Sequence, residues 1–378
     1  MMYDVIVVGA GIVGLAHALA AARAGARVLV LDRDARAVGA SVRNFGFVTV
    51  TGQARGAGWQ RARRSASVWR EVAAPAGIAI VQEGLTLVAR RPEAAAVLDA
   101  FMATEMAEGC RLLDPAELAR RLPALRPGTA VVALQSSADL RVESRDAIPR
   151  LAAWLETAHG VAIRRGVAVT EVVEGGVITA ERSYTAPVVI ACPGDEGAAL
   201  FPAAFAAAGV RRCTLQMLRL AAPGDRHASP VMSDLSLVRY EGYAALPPAA
   251  ALAERLAREE REALAHGIHL IAVQSADGTM VVGDSHVYGD SVEPFARAAV
   301  DDAILAQWSA LFGTPPRVVE RWTGSYASVA GRHSLVEAPF PGVRLVVVTS
   351  GTGASTAFGL AEEVIAGLVG EGHLRWAR

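Results

Sequence analysis

The chain has 378 residues, of which 52% are hydrophobic and 20% are charged, and its formal net charge at pH 7 is −1 with a pI near 6.7. These values are typical of well-packed soluble enzymes, and a chain of this length predicts about two domains. The near-neutral charge argues against nucleic acid or an acidic membrane surface as a partner.

The lysine and cysteine content of the sequence excludes several kinds of catalytic and metal-binding site. The sequence has no lysine, which excludes a Schiff-base lysine, a Walker-type lysine and a lysine that assists oxygen chemistry. Cys110, Cys192 and Cys213 are far apart, which predicts neither a disulfide framework nor a metal site. The most apolar run, residues 5–22, contains three glycines and follows an aspartate, so we expect a cytoplasmic protein with no membrane span.

The amino-terminal segment reads YDVIVVGAGIVGLAHALAAARAGARVLVLDRD. It predicts a strand, a glycine turn, a helix and a second strand, which together form a dinucleotide-binding unit. Gly9 permits the turn, Gly11 lets a pyrophosphate approach the helix amides beside Ile12, and Gly14 lets the helix pack on the strand. Asp32 ends the second strand and is placed to bind an adenosine ribose, and an acid there argues against a 2′-phosphate.

FAD and NAD share this unit, and the rest of the chain favours FAD. An NAD-binding domain continues as a regular alternation of strands and helices. Here the second strand is followed by the polar loop GASVRNFGFV at 39–48 and by a helical pattern at about 58–75. Further glycine-marked strands occur only at 186–194 and 343–369. The cofactor site is therefore predicted to be assembled from distant pieces of the chain.

The last of these segments contains a second glycine turn. A strand runs into the sequence SGTGAST at 350–356 and then into a helix. The first amides of a helix carry a positive partial charge. The pattern therefore predicts a site that stabilises the negative charge of a reduced flavin ring.

From end to end, the chain resembles the D-amino-acid-oxidase-like superfamily of FAD-dependent amine oxidoreductases, which includes glycine and sarcosine oxidases. The resemblance rests on the amino-terminal fingerprint, the loop at 39–48, the strand VVIACPG at 188–194 and the turn SGTGAS at 350–355. Five short motifs, GASVRNFGFV, RRCTLQMLR, GIHLIAVQS, VVGDSHVYGD and RWTGSYAS, are similar to the clade associated with breakdown of aminophosphonates such as 2-aminoethylphosphonate.

This resemblance implies an α/β fold with two interleaved domains. One is a Rossmann-like FAD-binding domain, expected at 1–77, 141–211 and 319–378. The other is an α+β substrate-binding domain built on a mixed or antiparallel sheet, expected at 78–140 and 212–318.

The resemblance also implies which residues bind FAD. The loop after the ribose-binding acid reaches from the pyrophosphate to the flavin, so Ser41, Arg43 and Asn44 are expected on phosphate and ribityl oxygens, and Gly46 and Phe47 against the ring. The full expected set is Gly9, Gly11, Ile12, Gly14, Asp32, Arg33, Ser41, Arg43, Asn44, Gly46, Phe47, Val169, Gly194, Gly351, Gly353, Ala354, Ser355 and Thr356. Sarcosine-oxidase relatives attach the flavin through a late cysteine, and this chain has none after Cys213, which predicts non-covalent FAD.

Two segments supply candidates for substrate binding. Arg239 and Tyr240 follow a pattern of alternating hydrophobicity typical of a strand, and Asp284, Ser285, His286 and Tyr288 end another. A neutral His286 is placed to accept an ammonium proton, and Arg239 to bind a phosphonate or carboxylate. A structural histidine and an ordinary ion pair are the alternatives. Within motifs that the family brings near the flavin lie Gln216, Tyr326 and Arg332.

The predicted activity is oxidation of a small primary or N-methylated amine to an imine, which hydrolyses to an aldehyde or keto acid. The favoured substrate is 2-aminoethylphosphonate or its N-methyl derivative. Oxidation of glycine, sarcosine or a D-amino acid is the main alternative, and an aromatic hydroxylase or a non-enzymatic FAD-binding protein are remote ones. The electrons pass to oxygen or another acceptor, and the absence of lysine predicts a slow reaction with oxygen.

Overall fold

The fold is taken from a computed structural model, which describes residues 3–374. Residues 1–2 and 375–378, which the predicted FAD-binding domain includes, lie outside the described residues. The strands are β1 (Val5–Val8), β2 (Val28–Asp32), β3 (Phe47–Val48), β4 (Ile80–Ala89), β5 (Cys110–Leu113), β6 (Val132–Val142), β7 (Ala162–Arg165), β8 (Val169–Val173), β9 (Gly176–Thr179), β10 (Ser183–Thr185), β11 (Val188–Ala191), β12 (Arg211–Leu220), β13 (Val231–Ser233), β14 (Ile271–Gln274), β15 (Met280–Gly283), β16 (Val287–Gly289), β17 (Val318–Ser328), β18 (Ser334–Glu337) and β19 (Val343–Val348).

The α-helices alternate irregularly with these strands. They are α1 (Ile12–Arg23), α2 (Ala57–Ala73), α3 (Pro92–Met102), α4 (Pro115–Arg121), α5 (Ser144–His159), α6 (Pro202–Ala207), α7 (Glu241–Ala244), α8 (Ala249–Glu259), α9 (Arg261–Ala265), α10 (Ala298–Phe312) and α11 (Gly353–Gly370). Short 3₁₀ helices span Ala40–Val42, Glu105–Ala107, Gly194–Ala199 and Asp234–Val238.

A six-stranded, mostly parallel sheet contains the amino-terminal unit. Its order is β18-β19-β11-β1-β2-β7, and all pairs are parallel except β18 with β19. Strand β1 is buried along its whole length, as a strand covered on both faces requires. The two glycine-marked strands predicted far along the chain are β11 and β19; β11 pairs with β1, and β19 pairs with β11 on its other side. The carboxyl ends of β1, β11 and β19 therefore meet at one edge of the sheet, where a dinucleotide binds in open α/β folds.

A ten-stranded, mostly antiparallel sheet forms the second large layer. Its main path is β16-β12-β15-β14-β13-β4-β6-β3, with β17 paired to β12 and β5 paired to β6. Among the described strands of this sheet, only β13 and β4 form a parallel pair. A small antiparallel sheet contains β10, β9 and β8. The α/β fold with a parallel sheet and a mixed, largely antiparallel sheet is thus confirmed.

Strand β17 connects segments that lie far apart in sequence. It opens the predicted carboxyl-terminal FAD-binding segment, yet it pairs along its length with β12 in the ten-stranded sheet, from Arg211 opposite Ser328 to Leu220 opposite Val318. The domain boundaries remain a prediction. Within the described residues no helix is long and apolar enough to cross a membrane.

Candidate active site

A cavity of about 1110 Å³ runs from the turn after β1 to the amino terminus of α11. Most of the residues predicted to bind FAD line it, although they come from sequence segments more than 300 residues apart. These are Gly9, Gly11, Ile12, Gly14, Asp32, Arg33, Ser41, Arg43, Asn44, Phe47, Val169, Gly194, Gly351, Gly353, Ala354 and Ser355. The predicted substrate-binding residues Arg239, Tyr240, His286, Tyr326 and Arg332 line the same cavity.

The glycine turn after β1 is shaped by close backbone contacts. A Cβ at Gly14 would lie 1.9 Å from the carbonyl oxygen of Gly9, so only glycine lets α1 approach the strand this closely. Gly9 itself has φ +104°, and a Cβ there would lie 2.5 Å from the carbonyl oxygen of Cys192. The turn itself therefore places no side chain between the amino terminus of α1 and the cavity, as anion binding at a helix end requires.

Ser41 and Asn44 hold the polar loop at 39–48 in place. The Ser41 hydroxyl accepts a hydrogen bond from the amide of Ile12 at 2.9 Å, so it lies at the start of α1 with its own proton available to an anion. The Asn44 side chain donates to the Ala40 carbonyl and accepts from the Gly46 amide, both at 2.7 Å. In this structure the Asn44 amide group therefore braces the loop, although the residue also lines the cavity.

Asp32 has two backbone partners at the end of β2. Its carboxylate accepts hydrogen bonds from the amide of Ala10 at 2.6 Å and from the amide of Asp34 at 2.8 Å. The side chain therefore links β2 to the glycine turn while lining the cavity. A carboxylate has about four acceptor positions, which leaves capacity for ribose hydroxyls.

The amino terminus of α11 closes the other end of the cavity. Ser355 lies in the first turn of this helix, and its hydroxyl accepts a hydrogen bond from the amide of Thr49 at 2.8 Å. Gly351 has φ +72°, and a Cβ there would lie 2.9 Å from the ring of Tyr326. The turn at 350–353 thus packs directly against an aromatic side chain of β17 while directing the helix amides toward the cavity.

Two residues of the predicted FAD set do not line the cavity. Gly46 has φ +69° and lies against the backbone of β6, where a Cβ would be 1.8 Å from the Val142 carbonyl oxygen. Its glycine is explained by that contact instead of by stacking on a flavin. The hydroxyl of Thr356 donates to the carbonyl of Thr352, the residue just before α11, at 2.9 Å.

The remaining residues that were predicted near the substrate differ in whether they line the cavity. Gln216 does not line it, because its amide is bonded to the Arg297 backbone and, at 2.9 Å, to the carboxylate of Asp301. Arg332 lines the cavity but is paired with Glu337 at 3.0 Å. Burial raises the pKa of Tyr326, so its phenol stays protonated. Gln216 therefore lies outside the candidate site.

The segment before Arg239 and Tyr240 is not a strand. Instead, Asp234–Val238 forms a 3₁₀ helix, whose Asp234, Leu235, Ser236 and Leu237 are all buried. The alternating pattern failed because this segment is buried on every side. Arg239 lies directly after the helix, and its Nη2 donates to the Tyr288 hydroxyl at 3.0 Å. Burial alone would lower the pKa of Arg239, but Tyr288, Tyr326 and Asp284 outweigh it, so the guanidinium stays charged.

A buried polar cluster lies on the same wall. Asp284 follows β15, and its carboxylate is 3.3 Å from Nε2 of His269 and 3.6 Å from Nε2 of His286. Burial lowers the pKa of His286 to about 3 and also lowers the pKa of His269. Burial acts to raise the pKa of Asp284, but the two imidazoles and Arg239 outweigh it. At neutral pH the cluster therefore contains one carboxylate and two neutral imidazoles.

His269 is a cavity-lining residue of this cluster that sequence reasoning missed. It lies just before β14, and extending the pairing of Ile271 with Gly283 by two residues would place His269 opposite Ser285. A regular ladder would then direct it away from Asp284 and His286. Leu270 instead adopts φ +32°, which breaks the alternation. The motif GIHLIAVQS was the one available signal.

Comparisons with known proteins agree with this geometry. A family model described as "DAO: FAD dependent oxidoreductase" matches residues 4–366. No curated protein matches the chain by sequence.

Solved structures share the whole fold. The glycine oxidase from Bacillus cereus ATCC 14579 superposes with a TM-score of 0.78 at 16% identity, covering 98% of this chain and 95% of that one. The L-proline dehydrogenase from P. horikoshii gives 0.79 at 15% identity, covering 99% and 95%. The L-alpha-glycerophosphate oxidase from Mycoplasma pneumoniae, determined with FAD bound, gives 0.72 at 16% identity, covering 97% and 95%.

The glycine turn that exposes the amino terminus of α1, the carboxylate of Asp32 and the amino terminus of α11 fit an extended dinucleotide with a flavin at its far end. Together with the match over residues 4–366, they show that this chain belongs to the DAO family of FAD-dependent oxidoreductases.

Proposed function

We propose that this protein oxidises a small zwitterionic amine, with Arg239 binding the anionic group of the substrate and His286 accepting a proton from its ammonium group. One observation carries the proposal. The charged guanidinium of Arg239 and the neutral imidazole of His286 line the same cavity as the predicted flavin-binding turn at 350–353. A cation for the anion and a base for the ammonium group are what such a substrate requires.

Bound FAD supplies an acceptor for a hydride equivalent from the substrate carbon. The amine therefore loses two electrons and one proton from carbon and a further proton from nitrogen, and the resulting iminium reacts with water to give an aldehyde or keto acid and an amine or ammonia. Oxygen or another acceptor must then take the electrons from the reduced cofactor. The protein contributes orientation and removal of the nitrogen proton.

His286 has a free acceptor nitrogen before substrate binds, but burial makes the ring a weak base, so it needs the Asp284 carboxylate beside it to take the proton. Its pKa of about 3 means that it does not carry a proton at physiological pH. An amine must lose its proton before it can release a hydride, since the nitrogen lone pair stabilises the developing positive charge. The position of His286 beside an ionised Asp284 supports the imidazolium once it forms.

The favoured substrate is 2-aminoethylphosphonate or its N-methyl derivative. A phosphonate presents three oxygens and up to two negative charges, which suit the planar fork of Arg239 together with the neighbouring Tyr288 hydroxyl. Oxidation of glycine, sarcosine or a D-amino acid is the alternative. It is supported by the structural similarity to proteins named glycine oxidase and L-proline dehydrogenase.

Anaerobic bleaching of the flavin tests the proposed activity. The holoenzyme would be mixed without oxygen with 2-aminoethylphosphonate, its N-methyl derivative, glycine, sarcosine, D-alanine and propylamine. We expect the two aminophosphonates to reduce the flavin most efficiently. A preference for glycine, sarcosine or D-alanine would overturn the phosphonate assignment, and the absence of bleaching by any amine would overturn the amine oxidoreductase itself.

Replacement of Arg239 tests the anion-binding role. Arg239→Ala is expected to lower kcat/KM for the phosphonate by about 2–4 kcal/mol in apparent barrier while leaving propylamine almost unchanged. The control is Arg111→Ala, which removes an exposed arginine that is bonded to Gln135 outside the cavity. Equal losses for charged and uncharged substrates would remove Arg239 from the role.

A further inference from the structure

The cluster formed by His269, Asp284 and His286, here called the acceptor cluster, lacks hydrogen-bond donors. One atom from each side chain lies within 4.8 Å of the other two, and all three side chains are buried and line the cavity. The tautomer of each imidazole follows from the hydrogen bond that its Nδ1 makes.

The tautomer of His286 is set by a backbone carbonyl. Nδ1 of His286 lies 2.9 Å from the Gly267 oxygen, and a carbonyl only accepts, so Nδ1 carries the ring proton. In the neutral ring Nε2 is then an acceptor. It faces the carboxylate of Asp284 at 3.6 Å, so two acceptors point at each other.

His269 has a similar arrangement. Its Nδ1 is 3.3 Å from the Ser236 hydroxyl, which itself donates to the carbonyl of His269 at 3.0 Å. Because the contact from the Ser236 hydroxyl to the carbonyl is the shorter of the two, we assign the hydroxyl proton to it; Nδ1 of His269 is then the donor to Ser236, and Nε2 is a second acceptor. Nε2 lies 3.3 Å from Asp284 Oδ1 without the alignment of a hydrogen bond.

The carboxylate of Asp284 completes the set. Its Oδ1 is buried and has no hydrogen-bond partner among the described residues. A buried polar atom without a partner costs about 1–3 kcal/mol, and more when it is charged. Three acceptors at the cavity wall therefore require an external group that brings several N–H donors and a positive charge.

We infer that the acceptor cluster is the subsite for the ammonium group of the substrate, with Asp284 binding the cation and His269 and His286 accepting its N–H groups. This inference rests on the proposed function and adds a second charged contact to it. An ammonium group has three N–H donors, which match the three acceptors in number. Asp284 and the guanidinium of Arg239 would then bind the two ends of one zwitterion.

The charges around the cluster favour a monovalent cation over a divalent metal ion. Asp284 is the one ionised acid of the cluster, and Arg239 is near enough to help lower its pKa. A divalent ion would therefore gain one anionic ligand and meet the repulsion of a guanidinium. The cation also has to lose a proton here, which an ammonium group does by transferring it to Nε2 of His286.

Binding of a simple cation tests the subsite without turnover. Ethylamine, which is protonated at pH 7, and ethanol, which has the same heavy-atom skeleton, would be titrated by calorimetry into the anaerobic holoenzyme kept reduced with dithionite, whose flavin cannot accept a hydride. We expect ethylamine to bind at least tenfold more tightly than ethanol. In Asp284→Asn that ratio is expected to fall below threefold, while in Asp290→Asn, which alters an almost fully exposed acid nearby, it is unchanged.

The pH profile of flavin reduction distinguishes cation binding from a structural role. The titratable and charged groups that face the cluster are Cys213, Arg239, Tyr240, Tyr288 and Tyr326. Burial raises the pKa values of Cys213, Tyr240 and Tyr326, so none of these three becomes an anion near neutral pH. Without Asp284 the amine must enter as the neutral form, so kcat/KM for Asp284→Asn is expected to rise about tenfold per pH unit toward the amine pKa of about 10. A parallel decrease at every pH would assign Asp284 a structural role.

Each outcome separates the subsite from the activity. If amines bleach the flavin but Asp284→Asn binds ethylamine as the wild type does, the subsite is wrong and the proposed function stands. If no amine bleaches the flavin while binding of ethylamine depends on Asp284, the proposed function is wrong and the cation site stands. If Asp284→Asn does not bind FAD, the wild type alone tests the subsite: ethylamine affinity at least tenfold above ethanol affinity supports it, and a smaller ratio overturns it. One equivalent of tightly bound transition metal that competes with ethylamine would overturn the ammonium assignment.

Discussion

Replacing Asp32 with alanine separates its role in the fold from its role in cofactor binding. The Asp32 carboxylate accepts hydrogen bonds from the amides of Ala10 and Asp34. Hydrogen bonds to a charged group contribute about 1.5–3 kcal/mol each, and the lower value applies to this half-buried side chain. Loss of both is therefore expected to lower the unfolding free energy of the apoprotein by about 3 kcal/mol. Asp32→Asn keeps an acceptor and should lose about half of that.

The effect on FAD is measured separately. Titration of apoprotein with FAD, followed by quenching of flavin fluorescence, gives the dissociation constant. Unsatisfied ribose hydroxyls are expected to weaken binding to Asp32→Ala by about 1–3 kcal/mol, which is about 5- to 150-fold.

A matched control removes another acid of the same sheet. Asp4 precedes β1 and accepts from the backbone amide of Arg27 at 2.8 Å, at the end of the sheet away from the cavity. Asp4→Ala is expected to destabilise the fold without changing FAD affinity. If Asp32→Ala loses stability but binds FAD as tightly as Asp4→Ala does, Asp32 braces the turn and does not bind the ribose.

Four further predictions follow from the structure. Gly14→Ala should lower the unfolding free energy by about 3 kcal/mol and remove most of the bound FAD, because its Cβ would overlap the Gly9 carbonyl. Gly39→Ala is the control and should be nearly neutral, because no atom lies within 4 Å of its Cβ. Urea unfolding compares the two variants. Burial lowers the pKa of His17 to about 4. In the unfolded chain the same histidine takes up a proton near pH 6.5, which favours unfolding at lower pH. The contribution of neutral His17 to stability is thus fully present above about pH 6.5 and is lost as the pH falls to about 4. His17→Leu should flatten this part of the pH dependence by up to roughly 3 kcal/mol, and an unchanged slope would assign the dependence to other groups. Acid precipitation should release FAD into the supernatant, and flavin left in the pellet would show covalent attachment. Stopped-flow reoxidation by oxygen should be slower than in relatives that place a lysine over the flavin, and an equal rate would show that arginine or histidine replaces it.

The sequence predicted the cofactor side of the molecule well because that side depends on local rules. The glycines at positions 9, 11 and 14 are required by backbone approach within one turn, and an acid at the end of β2 follows from the same unit. Strands β11 and β19 were identified from their own glycines and apolar runs, and their place in the sheet of β1 follows from how parallel sheets are built.

The substrate side was less predictable because it depends on contacts between distant segments. A glycine at position 46 is what a loop against the flavin would need, but the residue that requires this glycine is Val142 of β6, whose backbone lies against it. His269 meets Asp284 only because the backbone at Leu270 leaves the regular ladder. Gln216 lies on the correct strand, yet its amide faces Asp301 of a helix that no pattern placed there.

The pairing of β12 with β17 has a consequence for how the molecule loses its cofactor. Ten residues of β17 pair with β12 in the ten-stranded sheet, while β17 also leads through β18 and β19 of the other sheet into α11. Melting of the ten-stranded sheet would therefore release the turn at 350–353 at the same time. We expect amide hydrogens of β12, β17 and β19 to exchange as one cooperative unit, and the two halves of the chain not to fold when expressed apart.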